Sequence, residues 1–328
     1  MRAIHATSPG GPEVLSLVEI DDPSPAPGQL VVRVEAAGVN FIDTYRRAGV
    51  YPMAFPHVVG SEGAGVVVGV GTGVEGVGVG DRVAWTSSVT GSYAELVAVD
   101  ARQAVPVPDE VASDVAAALL LQGITAHYLV DSTFPVSAGQ VVLVHAGAGG
   151  VGLLLTQLAV ARGARVLTTV STPEKEELSR AAGAGDVIRY DQLTDLTVDL
   201  PERVRALTDG VGVDTVFDGV GRTTFDASLA SLRRRGGLAL FGASSGPVPP
   251  VDPQRLNRAG SVYLTRPTIG DYTATREELL RRGTALFDAV REGALEVRVG
   301  ARFALTDAAS AHRALEGRAT TGKVLLLP

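Results

Sequence analysis

Gln140-Val141-Val142-Leu143-Val144-His145-Ala146-Gly147-Ala148-Gly149-Gly150-Val151-Gly152 is the stretch that decides how this chain folds. Val141 to Val144 make an unbroken apolar run that suits a strand buried on both faces, and Leu153, Leu154, Leu158 and Ala159 continue beyond it with helical spacing. Gly147, Gly149 and Gly152 fit G-x-G-x-x-G. In that pattern one glycine permits a tight turn, the next lets backbone approach a pyrophosphate, and the third lets helix and strand pack closely. The N–H groups that open the helix then face phosphate. Strand, turn and helix in this order predict a dinucleotide site.

Outward from this motif, strands and helices alternate. Residues 165–170 read as strand, 173–182 as helix, 187–188 as strand, 201–208 as helix and 213–218 as strand; a helix over 223–234 and strands over 237–241 and 261–265 follow. The fold class predicted is α/β, with a Rossmann doubly wound parallel sheet domain over residues 123–266. Residues 1–122 are β-rich, with short runs at 30–34, 64–70, 82–85 and 93–99, and an Ala- and Leu-dense helix begins at Ser113. The glycine-rich run 69–81 reads as a hairpin and turn, because Arg82 and Val83 resume a strand where a phosphate loop would open a helix. Residues 267–328 hold helices over 275–292 and 307–316 and a strand over 323–327, so the two chain ends are expected to build a second domain together.

Composition removes several classes of function. A net charge of −7 argues against a nucleic-acid partner, which would need a basic surface. Cysteine is absent, which excludes disulfides, cysteine nucleophiles and thiolate zinc sites. No apolar run reads as a membrane span and Met1-Arg2-Ala3-Ile4-His5 lacks the apolar core of a signal peptide, so no membrane partner and a cytoplasmic location are expected.

The second strand of such a sheet ends beside the adenine ribose, where an acid selects NAD. Here it ends in Ser171-Thr172-Pro173, with Lys175 next and no acid at the turn. A hydroxyl and a cation suit a 2′-phosphate by charge-assisted hydrogen bonding, which favours NADPH. The alternative is that Lys175 pairs with Glu174 on a solvated helix. Tyr190, at the end of the third strand, is a further candidate on the ligand side or a partly buried surface residue.

Gly38-Val39-Asn40-Phe41-Ile42-Asp43-Thr44-Tyr45 with Arg46, Gly49 and Tyr51, then Leu121-Gln122-Gly123-Ile124-Thr125-Ala126 and His145 to Gly152, resemble the NADPH:quinone oxidoreductases. These are zinc-independent members of the medium-chain dehydrogenase/reductase superfamily, similar to zeta-crystallin. The resemblance continues through Phe241-Gly242-Ala243-Ser244-Ser245-Gly246 and Thr265-Arg266-Pro267 to Arg318-Ala319-Thr320, over essentially the whole chain. It implies a GroES-like catalytic domain built from both chain ends around the Rossmann domain.

It also implies cofactor contacts. Ala148, Gly149, Gly150 and Val151 would underlie the pyrophosphate, Ser171, Lys175 and Tyr190 would surround the 2′-phosphate, and Arg318 would lie near the phosphates. Phe241, Gly242, Ala243 and Ser244, with Leu264, Thr265 and Arg266, would line the nicotinamide end beside Thr125 and Asn40. In zinc alcohol dehydrogenases of this superfamily a Gly-His-Glu run supplies an imidazole to catalytic zinc; here the run is Gly60-Ser61-Glu62, and a serine hydroxyl cannot replace that ligand. His57 and His127 lack ligand-like spacing, so no metal is expected.

Without a Lewis acid the acceptor must take hydride readily, as a quinone or related electrophile does. The protein then has to position the acceptor and complement developing charge. Asn40 and Tyr45 are the candidates to face the acceptor oxygen, with Tyr51 lining the pocket or giving a proton. For Asp43 and Arg46 a structural ion pair is the stronger reading. Two alternatives stand beside quinone reduction: reduction of a C=C bond in an enal, enone or enoyl thioester, and a crystallin-like or RNA-binding role with incidental activity. Ser261-Val262-Tyr263-Leu264-Thr265 carries no charge to protect a sheet edge, which predicts a homodimer through this strand.

Overall fold

Six parallel strands follow from the alternation around the glycine motif. In a computed structural model that describes all residues from Met1 to Pro328, they lie in the order Asp186–Arg189, Arg165–Val170, Val141–Val144, Val213–Asp218, Leu232–Leu240, Tyr263–Thr265. The strand before the glycine turn is therefore central, and the sheet reverses direction of winding beside it. Val142, Leu143 and Val144 of its apolar run are buried, as are Leu167, Val216 and Leu238 on neighbouring strands. Parallel pairing places the ends of all six strands along one edge, where ligands of such sheets bind. This unit comprises Thr125–Tyr272.

The other unit joins Met1–Ile124 to Thr273–Pro328. Its larger sheet runs Val299–Ala304, Lys323–Leu327, Gln29–Val39, Glu62–Val70, Arg82–Trp85, Val105–Pro106, with Leu96–Asp100 also paired to Gln29–Val39. Gln29–Val39 thus receives the last strand of the chain, Val324 opposite Val39. Trp85, Tyr93 and Val32 are fully buried in its core. A smaller sheet orders Leu15–Glu19, Arg2–Ala6 and His57–Val58. The glycine-rich run 69–81 joins two antiparallel neighbours, Glu62–Val70 and Arg82–Trp85.

Three local readings are corrected. The helix expected to start at Pro201 is Leu196–Ala206, opened by Asp195, whose carboxylate accepts from the N–H of Thr197 at 2.8 Å. Pro201 lies inside it, so one interior helix bond goes unmade. The helix expected over 223–234 ends at Ser231, and Arg233, Arg234 and Arg235 belong to the next strand. Arg233 is held there by Asp214 at 2.7 Å, a tertiary contact that outweighs local propensity. Lastly, Ser113–Thr133 forms 21 helical residues apolar enough to cross a membrane by length and composition. Its most apolar window is 72% buried inside the protein, the condition of a core helix.

Candidate functional site

In the Rossmann unit the three motif glycines have separate physical reasons. A Cβ on Gly152 would stand 2.2 Å from the carbonyl oxygen of Ala146, and one on Gly147 would stand 2.6 Å from Cβ of Thr168. Both glycines are required by packing. A Cβ on Gly149 meets only that same carbonyl oxygen, at 3.2 Å, so its missing side chain keeps space open beside the N-terminus of the helix Gly150–Ala161. Ala148 is buried and Val151 half-buried on the same turn.

Ser171 and Lys175 are brought together at the end of the second strand. Thr172 caps the helix Pro173–Ala181 by accepting the N–H of Lys175, and the ammonium of Lys175 donates to Ser171 Oγ at 3.3 Å. Phe241 to Ser244 follow Leu232–Leu240 and fold back on the preceding loop: the N–H of Phe241 donates to the carbonyl of Asp218, and that of Ser244 to the carbonyl of Gly219. Leu264 and Thr265 end the edge strand, with Arg266 next. Thr125 is buried at the start of this unit, while Arg318 belongs to the other, just past the helix Ala308–Glu316 with a left-handed φ of 57°.

Tyr190 stands at the end of the third strand, but its hydroxyl is turned into the sheet. It lies 2.7 Å from Nδ1 of His145 and 2.5 Å from Thr169 Oγ. The proton positions follow from the far end. Ser228 Oγ gives its hydrogen to the Asp218 carboxylate at 2.7 Å, so it accepts from His145 Nε2, 2.9 Å away. His145 Nδ1 is then the acceptor for the Tyr190 O–H. Burial lowers the pKa of His145 and keeps it neutral. Asp218 also accepts from the N–H groups of Val220 and Gly221, which fixes the loop after the fourth strand. The expected contact of the Tyr190 hydroxyl with a 2′-phosphate therefore changes: its donor is already committed. His145, Ser228 and Asp218 were not singled out in the sequence. His145 opens the motif, and its polarity between a buried strand and a glycine turn was the available signal.

In the other unit Asn40 begins the helix Phe41–Arg47, where its N–H donates to Asp43 Oδ2 at 3.0 Å. Its side chain faces inward. Nδ2 donates to Glu62 at 2.7 Å and to the Gly38 carbonyl at 3.3 Å, while Oδ1 accepts from Lys323 at 2.8 Å. Lys323 also pairs directly with Glu62, and both side chains are essentially inaccessible. A Cβ on Gly38 would fall on this ion pair, 2.3 Å from the Glu62 carboxylate, so glycine makes its room. The expectation that the Asn40 amide faces an acceptor oxygen is thus corrected, because both its hydrogens have internal acceptors. Tyr45 and Tyr51 do come together, ring centroids 6.2 Å apart, with Phe41 one helical turn from Tyr45 at 6.2 Å. Tyr51 is 43% exposed.

Asp43 and Arg46 form no direct ion pair; Ser61 lies between them. Its hydroxyl donates to Asp43 Oδ1 at 2.6 Å and accepts from Arg46 Nη1 at 2.8 Å. The other Asp43 oxygen accepts from Tyr93 at 3.1 Å. Behind Tyr93 stands His312, with Nε2 at 3.2 Å and Nδ1 2.9 Å from Arg47, which is bound to Glu316. A guanidinium only donates, so His312 accepts on Nδ1 and donates from Nε2, and every bond in this row points toward Asp43. Burial, aided by Arg47, pushes the His312 pKa down to about 3. Burial and Asp43 push that of Tyr93 well above 10, which keeps it a donor. Burial raises the Asp43 pKa against the bonds from Ser61 and Asn40.

This donor set does not fit zinc. Ser61 occupies the place where the resemblance puts an imidazole, its oxygen is committed on both sides, and no group of three or more His, Asp or Glu side chains is arranged to hold a metal.

Two known domain families match parts of this chain. Residues 26–109 match the alcohol dehydrogenase GroES-like domain, and residues 150–283 match the family described as zinc-binding dehydrogenase. A quinone oxidoreductase of Salmonella typhimurium is 44% identical over 322 residues, 97% of each chain. A 2-haloacrylate reductase of Burkholderia is 41% identical over 97% of this chain and 96% of its own. The structure of a mycobacterial protein complexed with NADPH superposes with a TM-score of 0.97 at 55% identity, covering all of both chains.

Proposed function

The chain belongs to the zinc-independent quinone oxidoreductases of the medium-chain dehydrogenase/reductase superfamily, and on that footing we propose that it reduces quinones with NADPH. The observation that carries this reading is the state of Ser61. With its oxygen held between Asp43 and Arg46, the position that would serve a zinc Lewis acid is instead part of the protein's own hydrogen bonding. The substrate must then be one whose reduction needs orientation more than electrophilic activation, and quinones meet that demand.

The Rossmann unit fits NADPH by its space and its charge. Gly147 to Gly152 would receive the pyrophosphate at the helix N-terminus, and Ser171 with Lys175 the 2′-phosphate; Phe241 to Ser244, Leu264 to Arg266 and Thr125 would serve the nicotinamide end. Bound there, the cofactor supplies a hydride from nicotinamide C4. In the catalytic unit we assign Tyr45 and Tyr51 to the acceptor, Tyr51 as the exposed phenol able to give a proton. Asn40 acts behind them by fixing the start of the helix that carries Tyr45. The edge strand Tyr263–Thr265, paired on one side only and with Tyr263 62% exposed, supports a homodimer, which sedimentation at micromolar concentration tests.

A second reading, reduction of an activated C=C bond, is favoured by the Burkholderia relative and by the exposed Tyr51. Purified protein offered NADPH and NADH with benzoquinone, naphthoquinone, an alkenal and crotonyl thioester separates the two. Oxidation of NADPH by the quinones supports the proposal, and turnover confined to the alkenes sinks it.

A further inference from the structure

Arg46 differs from Arg47 and Arg82, two other arginines of the catalytic unit. Arg47 is bound to Glu316, His312 and the Gly10 carbonyl, and Arg82 to the carbonyls of Pro108 and Val111. Arg46 makes one hydrogen bond, to Ser61, and no ion pair. A guanidinium carries five N–H donors, so most of its donor capacity is unused. It lies on the wall of a cavity of about 140 Å³. That is close to the roughly 150 Å³ at which a protein cavity accepts a benzene ring.

The remaining wall is suited to a ring bearing one anion. Met53, Val59 and Val89 supply apolar surface. Thr90 accepts the N–H of Ala98 at 3.0 Å, and its own O–H goes to no protein acceptor. His57 has Nδ1 at 3.0 Å from the Ala54 carbonyl, and burial lowers its pKa, so it brings no charge. Asp43 is the one acid on the wall, and both its oxygens are already bonded, by Ser61, Tyr93 and the N–H of Asn40.

We propose that this cavity is an anion subsite in which Arg46 and Thr90 receive the carboxylate or sulfonate of an aromatic or unsaturated acceptor. Resting on the reading of the chain as a quinone reductase, it makes carboxylated quinones better substrates than neutral ones. Arg46 acts on acceptor specificity, and Ser61 holds its guanidinium in place.

The test compares kcat/KM for 1,4-naphthoquinone and its 6-carboxylate in wild type, Arg46→Met and Arg46→Lys, together with calorimetric titration of cofactor-free protein by benzoate. Loss of a charge-assisted contact lowers the ratio of carboxylate to neutral kcat/KM by about 10- to 100-fold in Arg46→Met, with partial recovery in Arg46→Lys. Benzoate binding weakens in the same order. Equal losses for both quinones, or a ratio within about threefold of wild type, overturns the subsite. If wild type reduces neither quinone, the assignment of activity fails instead, and the benzoate titration still decides the subsite.

Discussion

Lys323 donates to the amide oxygen of Asn40 at 2.8 Å, although 283 positions separate them. The last strand of the chain thereby fixes the first residue of the helix that carries Tyr45, and it does so with a cation shared with Glu62. Lys323→Met takes from the buried Glu62 its one cation and leaves it the hydrogen bonds from Asn40 and the N–H of Leu121. Such loss costs about 3–5 kcal/mol, and the paired change Lys323→Met with Glu62→Leu restores much of it. Urea unfolding of the three proteins checks this; a single variant within about 1 kcal/mol of wild type contradicts it.

Two residues at the adenine end should behave differently. Lys175→Gln is expected to weaken NADPH about 10-fold or more and leave NADH nearly unchanged, which the role proposed for its ammonium at the 2′-phosphate requires. Tyr190→Phe should leave the NADPH preference largely intact and lower stability by about 1 kcal/mol or less, since Thr169 Oγ, 2.9 Å from His145 Nδ1, remains as a donor when the phenol is gone. Cofactor fluorescence titrations with both nucleotides, beside unfolding curves, read the two effects separately.

His312 makes stability depend on pH. Its folded pKa of about 3 lies below the ordinary 6.5, so between these values the unfolded chain binds a proton that the folded one refuses. Stability from this group is complete above about pH 6.5, falls as pH drops through the window, and is gone near 3, with an upper bound of roughly 4–5 kcal/mol. His312→Gln should flatten that slope. Unfolding midpoints at about pH 4.5 and 7 measure it, and parallel slopes in the two proteins would remove His312 as the cause.

The motif glycines should also separate. Gly152→Ala forces a Cβ to 2.2 Å from a carbonyl oxygen and is expected to give insoluble or unfolded protein. Gly149→Ala, whose Cβ would meet one atom at 3.2 Å, should fold and bind NADPH at least 10-fold more weakly. Circular dichroism and cofactor titration decide each, and a Gly149→Ala protein with wild-type affinity would end the assignment of that turn to phosphate.

The sheet was legible because its signals are local. An apolar run, a glycine turn and a helical pattern recur within about thirty residues, and their repetition fixes the fold class. Errors arose where a tertiary contact outweighed propensity, as at Arg233 on Asp214, and where a local cap opened a helix ahead of its proline, as at Asp195 before Pro201. The candidate site could be named from the sequence only as a set of residue types, Asn40, Tyr45 and Tyr51 among them, and not as a set of directions. Whether an amide or phenol faces outward depends on partners that sequence spacing does not reveal.

By itself, then, the sequence determined the dinucleotide turn, the absence of an acid at Ser171, and the loss of the imidazole at Ser61, because each is a statement about which atoms exist at a position. Tertiary structure alone decided where those atoms spend their hydrogen bonds. Asn40 is consumed by Glu62 and Lys323, and Tyr190 by His145, while Arg46 keeps donors to spare. Buried polar groups take the nearest partner that folding brings within about 3 Å, and those partners come from distant parts of the chain.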